Sequence, residues 1–207
     1  MYKCIIFDVD GTLIDTKDAL SKSYHEFIEE EKLDKPRSEV INKFFGLRTK
    51  ACFDILGIQG DHIAKTRKWE EIYRKHEYDV KLYDDIERVL RRLREEDIDL
   101  GIVTSRNHEE LFGDPYFKPI ARLFDNVVVC DDTLLHKPNP DPILKFLERS
   151  GHLKSECIYI GDTIYDFECA QKANVEFALA CWGTTISDDV NIKKLMKVED
   201  ILSLVNI

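Results

Sequence analysis

A doubly wound α/β fold with an all-helical insertion is the architecture this sequence predicts, and three observations predict it. Short stretches that are apolar throughout recur along the chain and alternate with helical patterns, the signature of a parallel sheet covered on both faces. The connection after the first such stretch is far longer than the roughly two to six residues usual there, and it reads as helix almost throughout. Four strand ends, or the loops following them, carry polar residues. In a parallel sheet those ends converge on the crevice where ligands bind.

The first strand is KCIIF (3–7). Convincing α/β rhythm resumes only near Leu82, so residues 1–15 and 83–207 read as a catalytic core and residues 16–82 as a helical cap. Inside the cap, KDALSKSYHEFIEEEK (17–32) puts Ala19, Leu20, Tyr24, Phe27 and Ile28 on one helix face. RSEVINKFFG, LRTKACFDILG and DHIAKTRKWEEIYRKHEYD follow, two of them ended by glycine. In the core, DDIERVLRRLREED (84–97) spaces Ile86, Val89, Leu90 and Leu93 as an amphipathic helix does. LGIVT (100–104) and NVVVC (126–130) read as strands. PDPILKFLERSG (140–151) opens on proline and closes on glycine, the usual punctuation of a helix. CIYI (157–160) is a strand, YDFECAQKAN (165–174) a short helix and VEFALA (175–180) a further strand.

Composition excludes several classes. The 207 residues carry a net charge of −10, which argues against nucleic-acid partners, since those need a basic footprint. No apolar run approaches the roughly 20 residues that span a bilayer, so no membrane partner is expected. MYKCIIFDVD turns acidic too soon for a secretory signal, which makes the cytoplasm the expected compartment. Six cysteines show no CxxC spacing and read as small core residues, not as zinc ligands or a disulfide framework. An anionic substrate would meet a repulsive field unless a cation or local basic groups intervened. The cap, with 14 Lys and Arg against 13 Asp and Glu over 16–82, is the less repulsive wall.

The strand ends carry Asp8-Val9-Asp10-Gly11-Thr12, then Thr104-Ser105-Arg106, then His136-Lys137-Pro138-Asn139-Pro140 in a loop, then Gly161-Asp162-Thr163-Ile164-Tyr165-Asp166. Singly, each has an ordinary reading: an Asx turn at Asp10, a helix cap at Thr104 and Ser105, a solvated lysine at Lys137, an N-cap at Asp162. Together they put four carboxylates in one crevice. Charges about 4 Å apart repel by about 4 kcal/mol at an effective dielectric near 20. A hard dication relieves that repulsion, and carboxylates without His or Cys favour Mg²⁺. Residues i and i+2 of a strand share a face, so Asp8 and Asp10 are expected to serve one reacting centre, one as nucleophile and one as proton shuttle. Gly11 lets the backbone turn, and Lys137 with Thr104 supplies donors for an anion. These parts suit phosphoryl transfer through an aspartyl phosphate.

DVDGTLID, VTS, KPNPDP and GDTIYD, in this order and over nearly the whole chain, resemble the four motifs of the haloacid dehalogenase (HAD) superfamily. The long insertion resembles that family's helical cap. The paired aspartates and GDTxxD most resemble its phosphatases, in the phosphoglycolate phosphatase and pyrophosphatase-like group. The resemblance implies that Asp8 attacks phosphorus. Asp10 would protonate the leaving oxygen, hence be protonated when substrate binds, and later deprotonate water. It implies Mg²⁺ held by Asp8, the main-chain carbonyl of Asp10 and Asp162, with Asp166 ligating or orienting. Thr104 and Lys137 would hold the transferring phosphoryl group, with backbone N–H groups near Gly11 and Ser105. Arg48, in the cap loop Phe45–Thr49, is a candidate substrate contact, with a solvated arginine as the ordinary reading. The implied partner is a small phosphorylated substrate.

Alternatives stand beside this reading. Dehalogenases and phosphonoacetaldehyde hydrolases of similar fold lack the second aspartate, so Asp10 argues against both. Sugar phosphomutases keep both aspartates but typically carry a histidine where Leu20 stands and a glutamate where Gly161 stands. A phospho-acceptor module would place its aspartate on the third strand and have no inserted cap. A ligand-binding protein on the same scaffold would not need every motif position filled.

Overall fold

The computed structural model describes residues 2–34, 36, 38–184, 186 and 192–207. Strand β1 (Cys4–Phe7) runs through a turn into β2 (Ile14–Asp15). Helices α1 (Lys17–Glu30), α2 (Ser38–Asn42), α3 (Thr49–Ile55) and α4 (His62–His76) follow, and β3 (Lys81–Leu82) brings the chain back. The rest alternates: α5 (Ile86–Glu95), β4 (Asp99–Val103), α6 (His108–Gly113), β5 (Asn126–Val128), α7 (Asp141–Ser150), β6 (Cys157–Gly161), α8 (Ile164–Ala173), β7 (Glu176–Ala180), β8 (Lys193–Leu195) and a 3₁₀ helix, Val198–Val205.

The large sheet has the order β5-β4-β1-β6-β7-β8, and every pairing is parallel. β1 and β6 lie side by side at its centre and are buried at every residue. That is why they are apolar throughout, where a half-exposed strand would alternate. Ile5, Phe7, Ile158 and Ile160 face a core shared with Val89, Leu90, Leu93 and Ile201. Cys4, Ile6, Cys157 and Tyr159 face the other, shared with Ile143, Phe146, Cys169 and Ala170. Cys4, Cys52, Cys130, Cys157 and Cys169 are buried thiols, and Cys181 is half-buried.

Three elements depart from the sequence reading. β8 (KKL) is short and two-thirds charged, so it carries no strand signal. NVVVC ends as a strand at Val128 because Asp132 Oδ2 draws the Val129 N–H into a turn at 2.9 Å. Thr104 and Ser105 do not cap α6; Asn107 does, in a capping box with Glu110.

The four helices of the insertion enclose a core of their own, including Tyr24, Phe27, Ile28, Phe44, Phe53, Trp69 and Ile72. Phe27 and Phe53 stack with centroids 5.0 Å apart, and Tyr24 lies 4.7 Å from Phe44 and 5.2 Å from Trp69. His76 is tied to Glu26 on the same helical layer at 2.8 Å. The chain enters and leaves through a two-stranded ribbon, with Ile14 opposite Leu82 and Asp15 opposite Lys81. Among the described residues, no helix is long and apolar enough to cross a membrane. Phe53→Ala is expected to cost about 3–5 kcal/mol, as for other buried aromatics. If residues 16–82 form a semi-independent unit, hydrogen exchange should accelerate across residues 17–79 and leave β1 and β6 protected. Equal acceleration in the sheet would contradict that independence.

Candidate active site

Asp8 follows the last residue of β1, and its N–H still donates to Ile160 O on β6 at 2.9 Å. That bond aligns the ends of the two central strands and brings Asp8 beside Asp162 and Asp166. Each of these three buried aspartates offers one carboxylate oxygen within 4.8 Å of the others. Lys137, on the loop before α7, places Nζ 2.9 Å from Asp8 Oδ1 and 2.7 Å from Asp166 Oδ1, with its side chain 1% exposed. The Tyr159 hydroxyl, rising from β6, lies 2.8 Å from the same Asp166 oxygen and 3.1 Å from Val103 O.

Asp166 has two duties. Thr163 is the N-cap of α8, and it forms a capping box with Asp166 at the third helical position. Asp166 Oδ2 accepts from the Thr163 N–H at 3.0 Å and from its hydroxyl at 2.5 Å. Asp162 is therefore not the cap. Because the helix starts after it, Asp162 and Asp166 are not stacked along one helix turn. Among the described residues the Asp162 carboxylate accepts one hydrogen bond, from Thr12 Oγ1 at a long 3.4 Å. Thr184 holds its main-chain oxygen at 2.6 Å.

The electrostatics follow. Burial pushes Asp8 up to about 7, since Lys137 only partly offsets the desolvation and the charges of Asp166 and Asp10 add to it. Burial, then Asp166 and Asp8, holds Asp162 well above the carboxylate range. Burial works the same way on Asp166, but Lys137, Thr163 and Tyr159 outweigh it and hold that group low. Lys137 is raised, its two carboxylates overcoming burial. A buried, under-bonded carboxylate beside two others, with oxygen as the donor atom throughout, fits a hard divalent cation such as Mg²⁺.

One expectation about the first motif needs correction. Asp8 and Asp10 lie beyond the end of β1, so strand alternation does not govern them. Asp8 faces Lys137, whereas the Asp10 carboxylate turns to Arg106, with Nε on Oδ2 at 2.9 Å and Nη2 on Oδ1 at 2.7 Å. Its side chain is outside the oxygen cluster. The same pair sets the pKa of the Asp10 carboxyl. Burial alone would raise it, but the Arg106 guanidinium outweighs burial and holds it below the usual value.

The Gly11 N–H is also not a free donor, because it bonds Ile14 O at 2.8 Å. What Gly11 supplies is a positive φ of +77° and room, since a Cβ there would lie 2.2 Å from Asp162 Oδ2. Thr104 is buried, and its Oγ1 accepts from the Arg106 N–H at 3.2 Å. Ser105 Oγ donates to Gly46 O in the cap loop at 2.8 Å. Arg48 also reaches across that seam, with Nη1 donating to His136 Nε2 at 2.7 Å. Phe45, Gly46, Leu20 and Lys17 roof a cavity of about 10 Å³ whose floor includes Asp10, Gly11 and Asp162. Arg106, Thr163 and Tyr159 had no role in the sequence reading. Arg106 stands inside a strand-end motif in a crevice with excess negative charge, which was its one visible signal.

A sequence model of the family Haloacid dehalogenase-like hydrolase matches residues 5–180. The chain belongs to that family. Pyrophosphatase PpaX of Listeria innocua is 30% identical over 182 residues, covering 86% of this chain and 83% of the relative. Phosphoglycolate phosphatase of Aquifex aeolicus is 27% identical over 186 residues, covering 87% and 85%. The crystal structure of a Lactobacillus plantarum protein, described as a candidate phosphoglycolate phosphatase, has a TM-score of 0.87 at 28% identity and covers 99% of both chains. Within the family the chain falls in this phosphoglycolate phosphatase and pyrophosphatase-like group.

The raised Asp8 has a pH consequence. A carboxyl whose pKa rises from 3.8 unfolded to about 7 folded contributes stability that is present below pH 3.8 and lost as pH rises to 7. The metal-free protein should therefore lose stability through this group between about pH 4 and 7. Mg²⁺ at 100 times its Kd should restore about 2.7 kcal/mol at pH 7.5, roughly 5–11 °C in Tm. At pH 5 the cation must displace the proton, so the shift should be smaller. Equal shifts at both pH values in a thermal melt would contradict the assignment.

Proposed function

We propose that the chain is a Mg²⁺-dependent phosphatase that hydrolyses a small phosphomonoester or pyrophosphate through a phosphoryl group carried on Asp8. The observation that carries this reading is the Asp8 carboxylate at the end of the central strand, 2.9 Å from Lys137 Nζ and clustered with Asp162 and Asp166. Mg²⁺ held by Asp8, Asp162 and the main-chain carbonyl of Asp10 would neutralise that cluster and polarise a phosphoryl oxygen. Asp166, with both oxygens already engaged, orients Lys137 and Thr163.

The chain's own residues then divide the work. Asp8 attacks phosphorus, and the bond from phosphorus to the leaving oxygen breaks. Lys137 and Thr104 hold the transferring oxygens as charge builds on them. Asp10 must carry a proton when substrate binds, and it gives that proton to the leaving oxygen. In the second half it takes a proton from the water that attacks the phosphorylated Asp8, so orthophosphate leaves and Asp8 is restored. Arg106, which holds the Asp10 carboxyl below its usual range against burial, favours the form the second half needs. Phe45, Gly46 and Leu20 close over the site and exclude water, and reopening of the cap, residues 16–82, releases product.

Relatives named for pyrophosphate and phosphoglycolate support a compact, anionic substrate. Arg48, at the cap–core seam, is the proposed contact for its distal end. A sugar phosphomutase is less well supported. Leu20 occupies the histidine position, and a Cβ on Gly161 would lie 2.6 Å from Asp166 Cγ.

Two experiments test the proposal. Turnover should be lost on chelation by EDTA and restored by Mg²⁺, and Asp162→Asn should weaken Mg²⁺ binding more than it lowers Tm. Asp8→Asn should abolish turnover, since an amide cannot form the acyl phosphate. Asp10→Asn should lose about 10²–10⁴-fold on an alkyl phosphate and less on an aryl phosphate, whose leaving group is already acidic. In that variant a rapid-quench burst should appear, with mass spectrometry placing the added phosphoryl group on Asp8. A phosphoryl group on another residue refutes the mechanism.

A further inference from the structure

Arg106 grips Asp10 with two parallel hydrogen bonds, and the guanidinium's third nitrogen, Nη1, is fixed on Asp114 Oδ2 at 2.6 Å. Asp114 is held in turn, its Oδ1 accepting from the N–H groups of Tyr116 at 2.6 Å and Phe117 at 3.0 Å. The Arg106 backbone is anchored at both ends. Its N–H meets Thr104 Oγ1 at 3.2 Å, and its carbonyl accepts from Cys130 N at 2.9 Å. The Arg106 and Asp114 side chains are 11% and 10% exposed. The guanidinium is thus a fixed point, and Asp10 is held by it.

A carboxylate two residues from Asp8 has an obvious competing destination. The cluster of Asp8, Asp162 and Asp166 attracts a dication, and a dication attracts any carboxylate that reaches it. An Asp10 side chain bound there would be a metal ligand and no proton carrier. The Asp10 side chain lies outside the oxygen cluster and on the two-point fork of Arg106.

We propose that Arg106 is the positioning residue for Asp10, holding its carboxylate out of the cation-binding cluster so that it serves proton transfer to the leaving oxygen and from the water, and not the cation. The inference rests on reading Asp10 as the proton carrier. It adds a role for Arg106 through Asp10, with no contact of its own to substrate. The two-point geometry matters, since a lysine supplies a point charge and no fork.

The test is a double-mutant cycle on the full chain, with p-nitrophenyl phosphate and saturating Mg²⁺. Arg106→Ala should lower kcat about 10–100-fold, within what one proton carrier contributes, and leave KM within about threefold. In the Asp10→Asn background the same change should cost less than about threefold. Arg106→Lys should recover part of the loss. Calorimetric titration with Mg²⁺ alone supplies a readout besides activity. Arg106→Ala should tighten Mg²⁺ by about threefold or more, as Asp10 joins the cluster, and should not do so when Asp10 is already Asn. Should Arg106→Ala fail to fold, Asp114→Asn loosens the guanidinium while keeping the Asp10 pair, and a kcat loss that vanishes in the Asp10→Asn background supports the role.

Losses that multiply in the double variant overturn the inference, as does a raised KM with unchanged kcat, which would make Arg106 a substrate contact. Mg²⁺ affinity that is unchanged, or equally tightened in both backgrounds, overturns it too. An Asp10→Asn enzyme with full turnover instead removes Asp10 from the mechanism, and with it both the proposed function's proton carrier and this role for Arg106.

Discussion

The Lys137 ammonium set between Asp8 and Asp166 is the contact on which the rest of this molecule depends. Two carboxylates and a lysine, each nearly without solvent, are tolerable only as a set; removing one partner of a buried ion pair typically costs about 3–5 kcal/mol. The set dictates the topology around it. Asp8 must come from β1 and Asp166 from the start of the helix after β6, so those strands must be neighbours, and they are the two at the centre of the sheet. Lys137 must arrive from a third segment, the loop leading into α7. The charge balance is still incomplete, because among the described residues the Asp162 carboxylate accepts one long hydrogen bond. That deficit, more than the number of acidic groups, is what suits the site to a cation.

The GDTIYD segment shows how few residues achieve this. Asp166 closes the α8 capping box with one oxygen and receives Lys137 and Tyr159 with the other. A helix start is a common place for an acidic residue, and here the same carboxylate, anchored by the helix it caps, becomes a rigid support for the lysine. Rigidity at Lys137 is then inherited from secondary structure and not from a flexible four-carbon chain.

Much of this was legible in the sequence, and the pattern of what was not is physical. The central strands could be read because burial on both faces leaves an unbroken apolar run. The cap helices could be read because each has one apolar face turned to a private core. Asp8, Lys137, Asp162 and Asp166 could be grouped because strand ends in a parallel sheet converge. The destination of a long side chain leaves no such trace. Arg106 follows Thr104 and Ser105 in plain view, yet its partners Asp10 and Asp114 lie 96 and 8 residues away along the chain. The same limit misdirected Asp10, whose orientation is set by that arginine and not by strand alternation. β8 was missed for another reason, since three residues with two lysines offer neither period nor hydrophobicity.

The seam between cap and core joins these threads. Away from the connecting ribbon, hydrogen bonds cross it from Ser105 to Gly46 O, from Tyr165 to Lys43 O and between Arg48 and His136, at 2.8, 3.0 and 2.7 Å. Each core partner sits in a motif that also carries a site residue: Ser105 beside Thr104, His136 beside Lys137, Tyr165 beside Asp166. Gly46 presses closest, at φ +81°, where a Cβ would stand 2.8 Å from Thr163 Oγ1. The cap loop therefore rests on the same backbone that positions the chemistry, and a shift in any of those three segments is felt by both. Net, such bonds contribute about 0.5–1.5 kcal/mol each, so together they favour closure by a few kcal/mol at most. If the cap opens as proposed, a preference of that size would leave an open minority on the order of 0.1–10%, enough to admit substrate without surrendering the closed, water-poor site in which Asp8 would act.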